Sequence, residues 1–169
     1  MKIKKPVIKS LIKLYLSFGG MIILFVIAFH IKAVHHAVVV PFTEFVAICS
    51  SLLMNALGAG AQVTDNNLFT VNFRINVVDG CNGIYATAIL ISGVIAYPSK
   101  IIHRLYGILL GTFAIFVLNL IRVISLFYLG QYFPDIFQEV HVYVWQPIII
   151  LWAIFIWDFW SRKITAKNL

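Results

Sequence analysis

One cysteine stands in a sequence context that favours nucleophilic chemistry. Cys81 lies in the stretch Asp79-Gly80-Cys81-Asn82-Gly83, directly before a long apolar run, and either Asp79 or Asn82 is suited to cap the helix that this run predicts. A thiol at a helix N-terminus feels the positive end of the helix dipole, which lowers its pKa and favours the thiolate. Gly80 and Gly83 leave room for the backbone of a substrate to approach. The alternative is that Cys81 fills a small apolar space beside a turn.

An arginine interrupts the apolar run 105–129. Arg122 lies seven residues before the end of this run, roughly 10 Å deep if the run is a membrane helix with a rise of about 1.5 Å per residue. Because arginine is effectively never deprotonated, its side chain must either extend to the membrane surface or meet an anion or a polar pocket. Asn119 shares its helix face and is a candidate to support Arg122. Extension of Arg122 to the membrane surface is the alternative reading.

A histidine opens the last apolar run. His141 follows the loop 130–140, and a single histidine at a membrane boundary is commonly an interfacial residue. If the runs form a bundle, however, Cys81, Arg122 and His141 come from three helices at the same membrane level. Together they would supply a nucleophile, a general acid and base, and a cation for an oxyanion or carboxylate. Cys49 has no comparable context and is interpreted as a packing residue.

The composition fixes the environment in which such chemistry would take place. Of the 169 residues, 62% are hydrophobic and 11% are charged, and the mean hydropathy is +0.96. This composition excludes a soluble enzyme, a secreted disulfide scaffold and a disordered chain. It also excludes an outer-membrane β-barrel, whose strands alternate apolar and polar residues. The net charge of +7 does not indicate nucleic acid, since the basic residues lie between apolar runs. The expected partners are therefore the lipid bilayer and membrane components.

The apolar runs predict an all-α integral membrane protein that forms a single domain over residues 1–169. Four predicted spans are joined by an amphipathic helix on the outer membrane face and by a small extracytoplasmic hairpin. The predicted spans cover 14–29, 83–97, 105–129 and 142–160, the amphipathic helix covers 37–60, and the hairpin covers 61–78.

The positions of the charges favour four spans over five. With four spans and a cytoplasmic N-terminus, ten of the thirteen Lys and Arg residues are cytoplasmic: five before the first span, two between the second and third, and three after the last. A fifth span at 37–60 would place the two basic ends of the chain on opposite sides, against the positive-inside rule. Whether 37–60 lies on the membrane or dips into it is left open.

The combination of motifs resembles the exosortase/archaeosortase family, and most closely its short exosortase H type. The similarity covers about residues 75–160. It is carried by Cys81-Asn82-Gly83-Ile84 at a helix start, by Asn119-x-x-Arg122-Val123 in the next helix, and by His141.

The resemblance implies a membrane-embedded cysteine transpeptidase or peptidase. In this family the residues matching Cys81, His141 and Arg122 are the nucleophile, the acid and base, and the third catalytic residue. Substrates would be exported proteins with a C-terminal motif, a membrane helix and a basic cluster. The resemblance also implies a bacterial inner membrane location with the site facing the periplasm, and it leaves the acyl acceptor open among water, a lipid amine and a sugar-linked group.

Two other functions are compatible with the sequence. One is a non-catalytic subunit or small transporter component in which Arg122 lines a polar cavity. The other is a thiol-redox protein that uses Cys49 and Cys81, although the chain has no Cys-x-x-Cys motif. No cofactor or metal is expected, since the sequence has no zinc-type Cys and His spacing and no His-Glu-x-x-His motif. The peptidase requires Cys81, Arg122 and His141 but not Cys49. The redox protein requires both cysteines, and the transporter component should tolerate Cys81→Ala.

Overall fold

The computed structural model describes residues 5–167 of the chain, with side chains described from residue 11 to residue 164. The basic residues that the charge argument places before residue 11 and after residue 164 lie outside the described side chains. Two π-helical turns, at His35–Val39 and Val140–Trp145, and a 3-10 turn at Pro134–Ile136 interrupt the helices. The helices and strands are α1 (Lys5–His30), α2 (Lys32–Val34), α3 (Val40–Ala56), β1 (Gln62–Thr64), β2 (Asn67–Phe69), β3 (Arg74–Asn76), α4 (Ile84–Ala96), α5 (Ile101–Tyr132), α6 (Phe137–Glu139) and α7 (Gln146–Lys167).

A helical bundle is built around α4, which packs against α1, α5 and α7, and α5 also packs against α7. At the end of the bundle that contains Trp160, two glycines of α5 face large side chains of the neighbouring helices. A Cβ atom added to Gly107 would lie 2.5 Å from Nε1 of Trp160, and one added to Gly111 would clash with Cδ2 of Leu90. Small residues let membrane helices approach closely, so these two glycines set the spacing at what we call the Trp160 end of the bundle.

The opposite end, which we call the Cys81 end, is covered by α3 and a small sheet. α3 packs on α5 and on the first two strands, and the buried side chains of Met54, Leu68 and Phe127 belong to one apolar cluster with Cys81. The three strands are antiparallel in the order β1-β2-β3, with Leu68 opposite Val63 on one side and Ile75 on the other. The predicted hairpin is therefore present as β1 and β2 and is extended by a third strand.

The prediction of an all-α multi-pass membrane protein is confirmed, but the long apolar helices are not the predicted set. Within the described residues, four helical stretches are long and apolar enough to cross a membrane: Leu11–His30, Lys32–Ala56, Ile101–Tyr132 and Pro134–Ile164. The helix at the predicted span 83–97 has only 13 residues, about 20 Å at 1.5 Å per residue, because it starts after the Cys81 turn and ends before Pro98. The outer-face position of 37–60 stays a prediction.

Candidate active site

The structure brings the thiol of Cys81, the imidazole of His141 and the guanidinium of Arg122 together. Sγ of Cys81 lies 2.8 Å from Nε2 of His141, and Nη2 of Arg122 lies 3.8 Å from the same sulfur. Cys81 lies in the turn before α4, Arg122 lies on α5, and His141 lies on the π-helical turn before α7. Residues 41 and 60 positions apart from Cys81 in the chain thus meet at one sulfur atom.

The turn that carries Cys81 is fixed by hydrogen bonds on both sides of the cysteine. The Cys81 N–H donates to the carbonyl of Val78 at 2.7 Å. The Asn82 side chain accepts from the Ile84 N–H at 2.9 Å, which caps the start of α4, and its Nδ2 donates to Oγ1 of Thr43 on α3 at 2.8 Å. Both Asn82 and Thr43 are almost fully buried. Asn82 therefore performs the capping that the sequence assigned to either Asp79 or Asn82, and it also ties the Cys81 turn to α3.

Gly83 follows in a left-handed conformation with φ of 82°, which a residue with a side chain rarely adopts. A Cβ atom at this position would lie 3.2 Å from Cγ of Asn119. Asn119 is fully buried, and neither Nδ2 nor Oδ1 has a hydrogen-bond partner among the described residues. The sequence predicted that Asn119 supports Arg122. That support stays a prediction: the Asn119 amide makes no hydrogen bond with Arg122 and faces the Gly83 backbone.

Arg122 is buried, with 1% of its surface exposed. α5 continues ten residues beyond it to Tyr132, so the side chain lies about 15 Å from the end of its helix. Its Nε has no partner within the described part of the chain, and Nη2 points at the Cys81 sulfur. The guanidinium therefore faces the site rather than the membrane surface, which is the polar-pocket alternative of the sequence argument.

His141 lies on the π-helical turn Val140–Trp145, a type of local widening that is frequent at functional sites. The ring of Phe137, one turn earlier, lies 5.9 Å from the His141 ring between centroids. Phe137 is itself seated against Gly130 of α5, where an added Cβ would lie 3.1 Å from Cδ2 of the phenylalanine. The packing of Phe137 on α5 thus supports the position from which His141 reaches Cys81.

One side-chain contact near the site was not anticipated from the sequence. Nε2 of His35 lies 2.7 Å from Oδ2 of Asp79, two residues before Cys81. His35 belongs to the π-helical turn between α2 and α3, so the pair joins that segment to the Cys81 turn. A separation of 44 residues gives no local signal in the sequence for this contact.

Burial controls the electrostatics of the thiol. Burial raises the pKa of Cys81, whereas the positive charge of Arg122 and the hydrogen bond with the Val78 backbone lower it to a smaller extent. The sequence predicted a lowered pKa from the helix-start position, and this prediction is wrong in sign. Cys81 is only 8% exposed, so the loss of hydration outweighs the two lowering effects.

The arrangement has the geometry of an activated cysteine nucleophile. The Cys81 sulfur and the His141 nitrogen are within hydrogen-bond reach, which is the structural signature of a nucleophile with its base, and a cation lies beside them. The other cysteine, Cys49, lies on α3 and packs at the edge of the apolar cluster. Within the described residues, no group of three or more His, Cys, Asp or Glu residues could bind a metal ion.

Comparisons with known proteins agree with the family resemblance noted from the sequence. The sequence model of the transmembrane exosortases, of the EpsH type, matches residues 12–160, which include Cys81, Arg122 and His141. Probable archaeosortase E from Methanocaldococcus jannaschii is 26% identical over 132 residues, covering 78% of this chain. The chain spans 66% of the length of that relative, just under two thirds. No solved structure matches the chain.

Proposed function

This chain belongs to the transmembrane exosortase family, and we propose that it is a membrane-embedded cysteine transpeptidase or peptidase. Its substrates would be exported proteins, from which it removes a C-terminal sorting signal. The observation that carries this proposal is the distance of 2.8 Å between Sγ of Cys81 and Nε2 of His141. A buried thiol with a raised pKa is a weak nucleophile unless a base accepts its proton, and His141 is placed to do so.

The first half of the reaction forms an acyl-enzyme. The Cys81 thiol gives its proton to Nε2 of His141 as the sulfur attacks the scissile carbonyl carbon. Negative charge then develops on the carbonyl oxygen, and the Arg122 guanidinium beside the sulfur stabilises it. His141 protonates the leaving amine as the C–N bond breaks, so that a thioester on Cys81 remains and the C-terminal fragment departs.

The second half of the reaction releases the substrate. An acceptor with an O–H or N–H group attacks the thioester, and the neutral His141 takes its proton. The C–S bond breaks, and the departing thiolate is reprotonated, which restores the starting thiol. Water would give a hydrolysed product, whereas a lipid amine or a sugar-linked group would give an anchored product.

The proposed location is a bacterial inner membrane, with the site facing the periplasm. The excess of basic residues at the chain ends and in the loop between α4 and α5 supports this orientation. The three site residues lie in the parts of the bundle away from that loop, so the substrate's motif would be presented on the periplasmic side. Topology reporters fused at residues 65 and 169 are expected to report opposite sides of the membrane, and a shared side would contradict this orientation.

The proposal is tested by co-expression with an exported protein from the same genome whose tail carries a short motif, a helix and a basic cluster. An immunoblot should show the shortened substrate with the wild-type chain and with Cys49→Ala. Cys81→Ala should leave the substrate at full length. Cys49→Ala is the matched control, because it removes the only other thiol of the chain without touching the site. A shortened substrate with Cys81→Ala would overturn the cysteine mechanism.

A further inference from the structure

The buried side chain of Asn119 is not explained by the packing around it. Its Nδ2 and Oδ1 atoms have no hydrogen-bond partner among the described residues, although the side chain is completely buried. Nearly all buried polar groups in proteins are paired, and an unpaired one destabilises the fold. Asn82 provides an internal comparison, because it is equally buried but uses both ends of its amide in hydrogen bonds. The unpaired amide of Asn119 therefore points to a ligand that supplies its partners.

The position of Asn119 relates it to the reacting atoms. It lies one helical turn before Arg122, on the face of α5 that presents the guanidinium to the Cys81 sulfur. Its amide faces Gly83, two residues after Cys81, with Cγ 3.2 Å and Oδ1 3.4 Å from the place of a Cβ atom. Gly83 also directly precedes α4, and the first N–H groups of a helix carry partial positive charge. The amide thus lies between the nucleophile's turn and the cation.

The chemistry of the unpaired atoms identifies the class of ligand. A carboxamide with both atoms free offers one acceptor and one donor group, which complement the N–H and the carbonyl oxygen of a peptide bond. A residue needed only to fill this space could be a leucine of similar size, with no cost for burying polar atoms. An ion would use the donor or the acceptor, but not both.

We propose that Asn119 is a second oxyanion-binding residue, whose Nδ2 donates a hydrogen bond to the scissile carbonyl oxygen of the substrate. The inference rests on the proposed function, since it assigns a partner to the oxygen that becomes negative when Cys81 attacks. Arg122 and Asn119 would then contact this oxygen from adjacent turns of one helix. Removal of one oxyanion donor typically lowers the rate of acyl transfer by about 10²–10³-fold.

Two small electrophiles separate this role from a purely structural one. With 4-nitrophenyl acetate, a bond forms between Sγ and the carbonyl carbon, the C–O bond breaks, and 4-nitrophenolate leaves, so an oxyanion forms on the way. Iodoacetamide alkylates the same sulfur by displacement of iodide at a saturated carbon, and no oxyanion forms. Both rates are measured on purified chain carrying Cys49→Ala, in which Cys81 is the sole thiol.

We expect Asn119→Leu to lower the acylation rate at least tenfold while the alkylation rate changes by less than twofold. Asn119→Ala serves as the second variant if the leucine variant does not fold, and the same split is expected. A parallel fall of both rates would assign Asn119 to the support of Cys81, and two unchanged rates would leave it without a role, so either result overturns the inference. If the Asn119-containing parent is alkylated but not acylated, the proposed function itself fails.

Discussion

The Cys81 end and the Trp160 end of the bundle bury their polar groups in different ways. At the Trp160 end, the buried hydroxyl of Ser92 donates to the carbonyl of Ala88 within its own helix. At the Cys81 end, polar side chains bond across elements: Asn82 reaches Thr43 on α3, and Cys81 meets His141 from a segment 60 residues away. Polar contacts satisfied within one helix do not constrain how helices sit together, whereas contacts between elements do.

The Trp160 end therefore mainly stabilises the fold, whereas the Cys81 end positions the side chains of the candidate site. At the Trp160 end, close contacts of glycines with large side chains bring α5 to α7 and α4, and a single indole N–H, that of Trp160, donates to the carbonyl of His103 on α5. At the Cys81 end, the polar contacts set the positions of a thiol, an imidazole and a guanidinium to within hydrogen-bond distances, at the cost of burying a charge. Substitutions should accordingly affect activity at one end and stability at the other.

The largest expected effect is the loss of activity in His141→Ala. Because His141 is the only base in contact with the Cys81 sulfur among the described residues, turnover of a co-expressed substrate should fall by about 10²–10⁴-fold. Apart from the contact with Cys81, the partly buried ring makes no hydrogen bond among the described residues, so the melting temperature in detergent should change little. His36→Ala, on an exposed histidine, is the control and should keep wild-type turnover. Equal turnover of the two variants would contradict the expectation that substitutions at the Cys81 end affect activity.

A stability effect is expected at the other end from Gly107→Ala. The new methyl group would lie 2.5 Å from Nε1 of Trp160, whose N–H donates to the carbonyl of His103 at 3.0 Å. Displacing this ring should destabilise the protein by about 1–3 kcal/mol, as overpacking generally does. Thermal unfolding in detergent measures the change, and Gly19→Ala is the matched control, because no atom lies within 4 Å of the Cβ that it adds. Equal melting temperatures would show that Trp160 does not depend on the small residue at 107.

A mixed effect on stability and on activity is expected from Thr43→Val, which removes the acceptor of the Asn82 amide. Leaving a buried donor unpaired should cost about 1–3 kcal/mol of stability, and the loosened Cys81 turn should also lower turnover. Ser50→Ala is the control on the same helix, since its hydroxyl donates only to the carbonyl of Val46 in the preceding turn. If the Thr43 variant loses stability but turns over substrate normally, the contact with α3 does not position the nucleophile.

The smallest expected effect is a shift in the pH dependence of Cys81 labelling by iodoacetamide. Because burial raises the pKa of this thiol, the reactive thiolate should be scarce at neutral pH, and labelling should increase into the alkaline range beyond the midpoint of free cysteine. Arg122→Gln removes a charge that lowers the pKa, so the midpoint should move further up. A midpoint below that of free cysteine would show that the helix dipole dominates after all.

The three residues of the candidate site could be found from the sequence, because each differs in character from the apolar residues around it. A charge in the middle of an apolar run, a cysteine between glycines at a helix start, and a histidine at a span boundary are visible without any structure. The charge distribution then predicts that Cys81, Arg122 and His141 lie at one membrane level. This prediction requires only the positions of the helix ends, which the limits of the apolar runs indicate.

The supporting contacts were not accessible, because they depend on packing between distant segments. The sequence does not distinguish Thr43 from other hydroxyl residues, because its role depends on the packing of α3 against the Cys81 turn. His35 is likewise distinguished only by its contact with Asp79. The raised pKa of Cys81 likewise depends on how much water the assembled bundle excludes. The unpaired amide of Asn119 is a property of the complete fold that no local pattern encodes.

The central claim is that Cys81 carries the acyl group of a cleaved substrate, and the most direct measurement is the capture of that thioester. Membranes from cells that co-express the substrate are denatured rapidly, and the covalent adduct between the chain and the substrate's N-terminal fragment is detected by immunoblot. Neutral hydroxylamine, which cleaves thioesters, should release the fragment. The adduct is expected with the wild-type chain and with Cys49→Ala, and it should be absent with Cys81→Ala. An adduct that persists in Cys81→Ala would contradict the account.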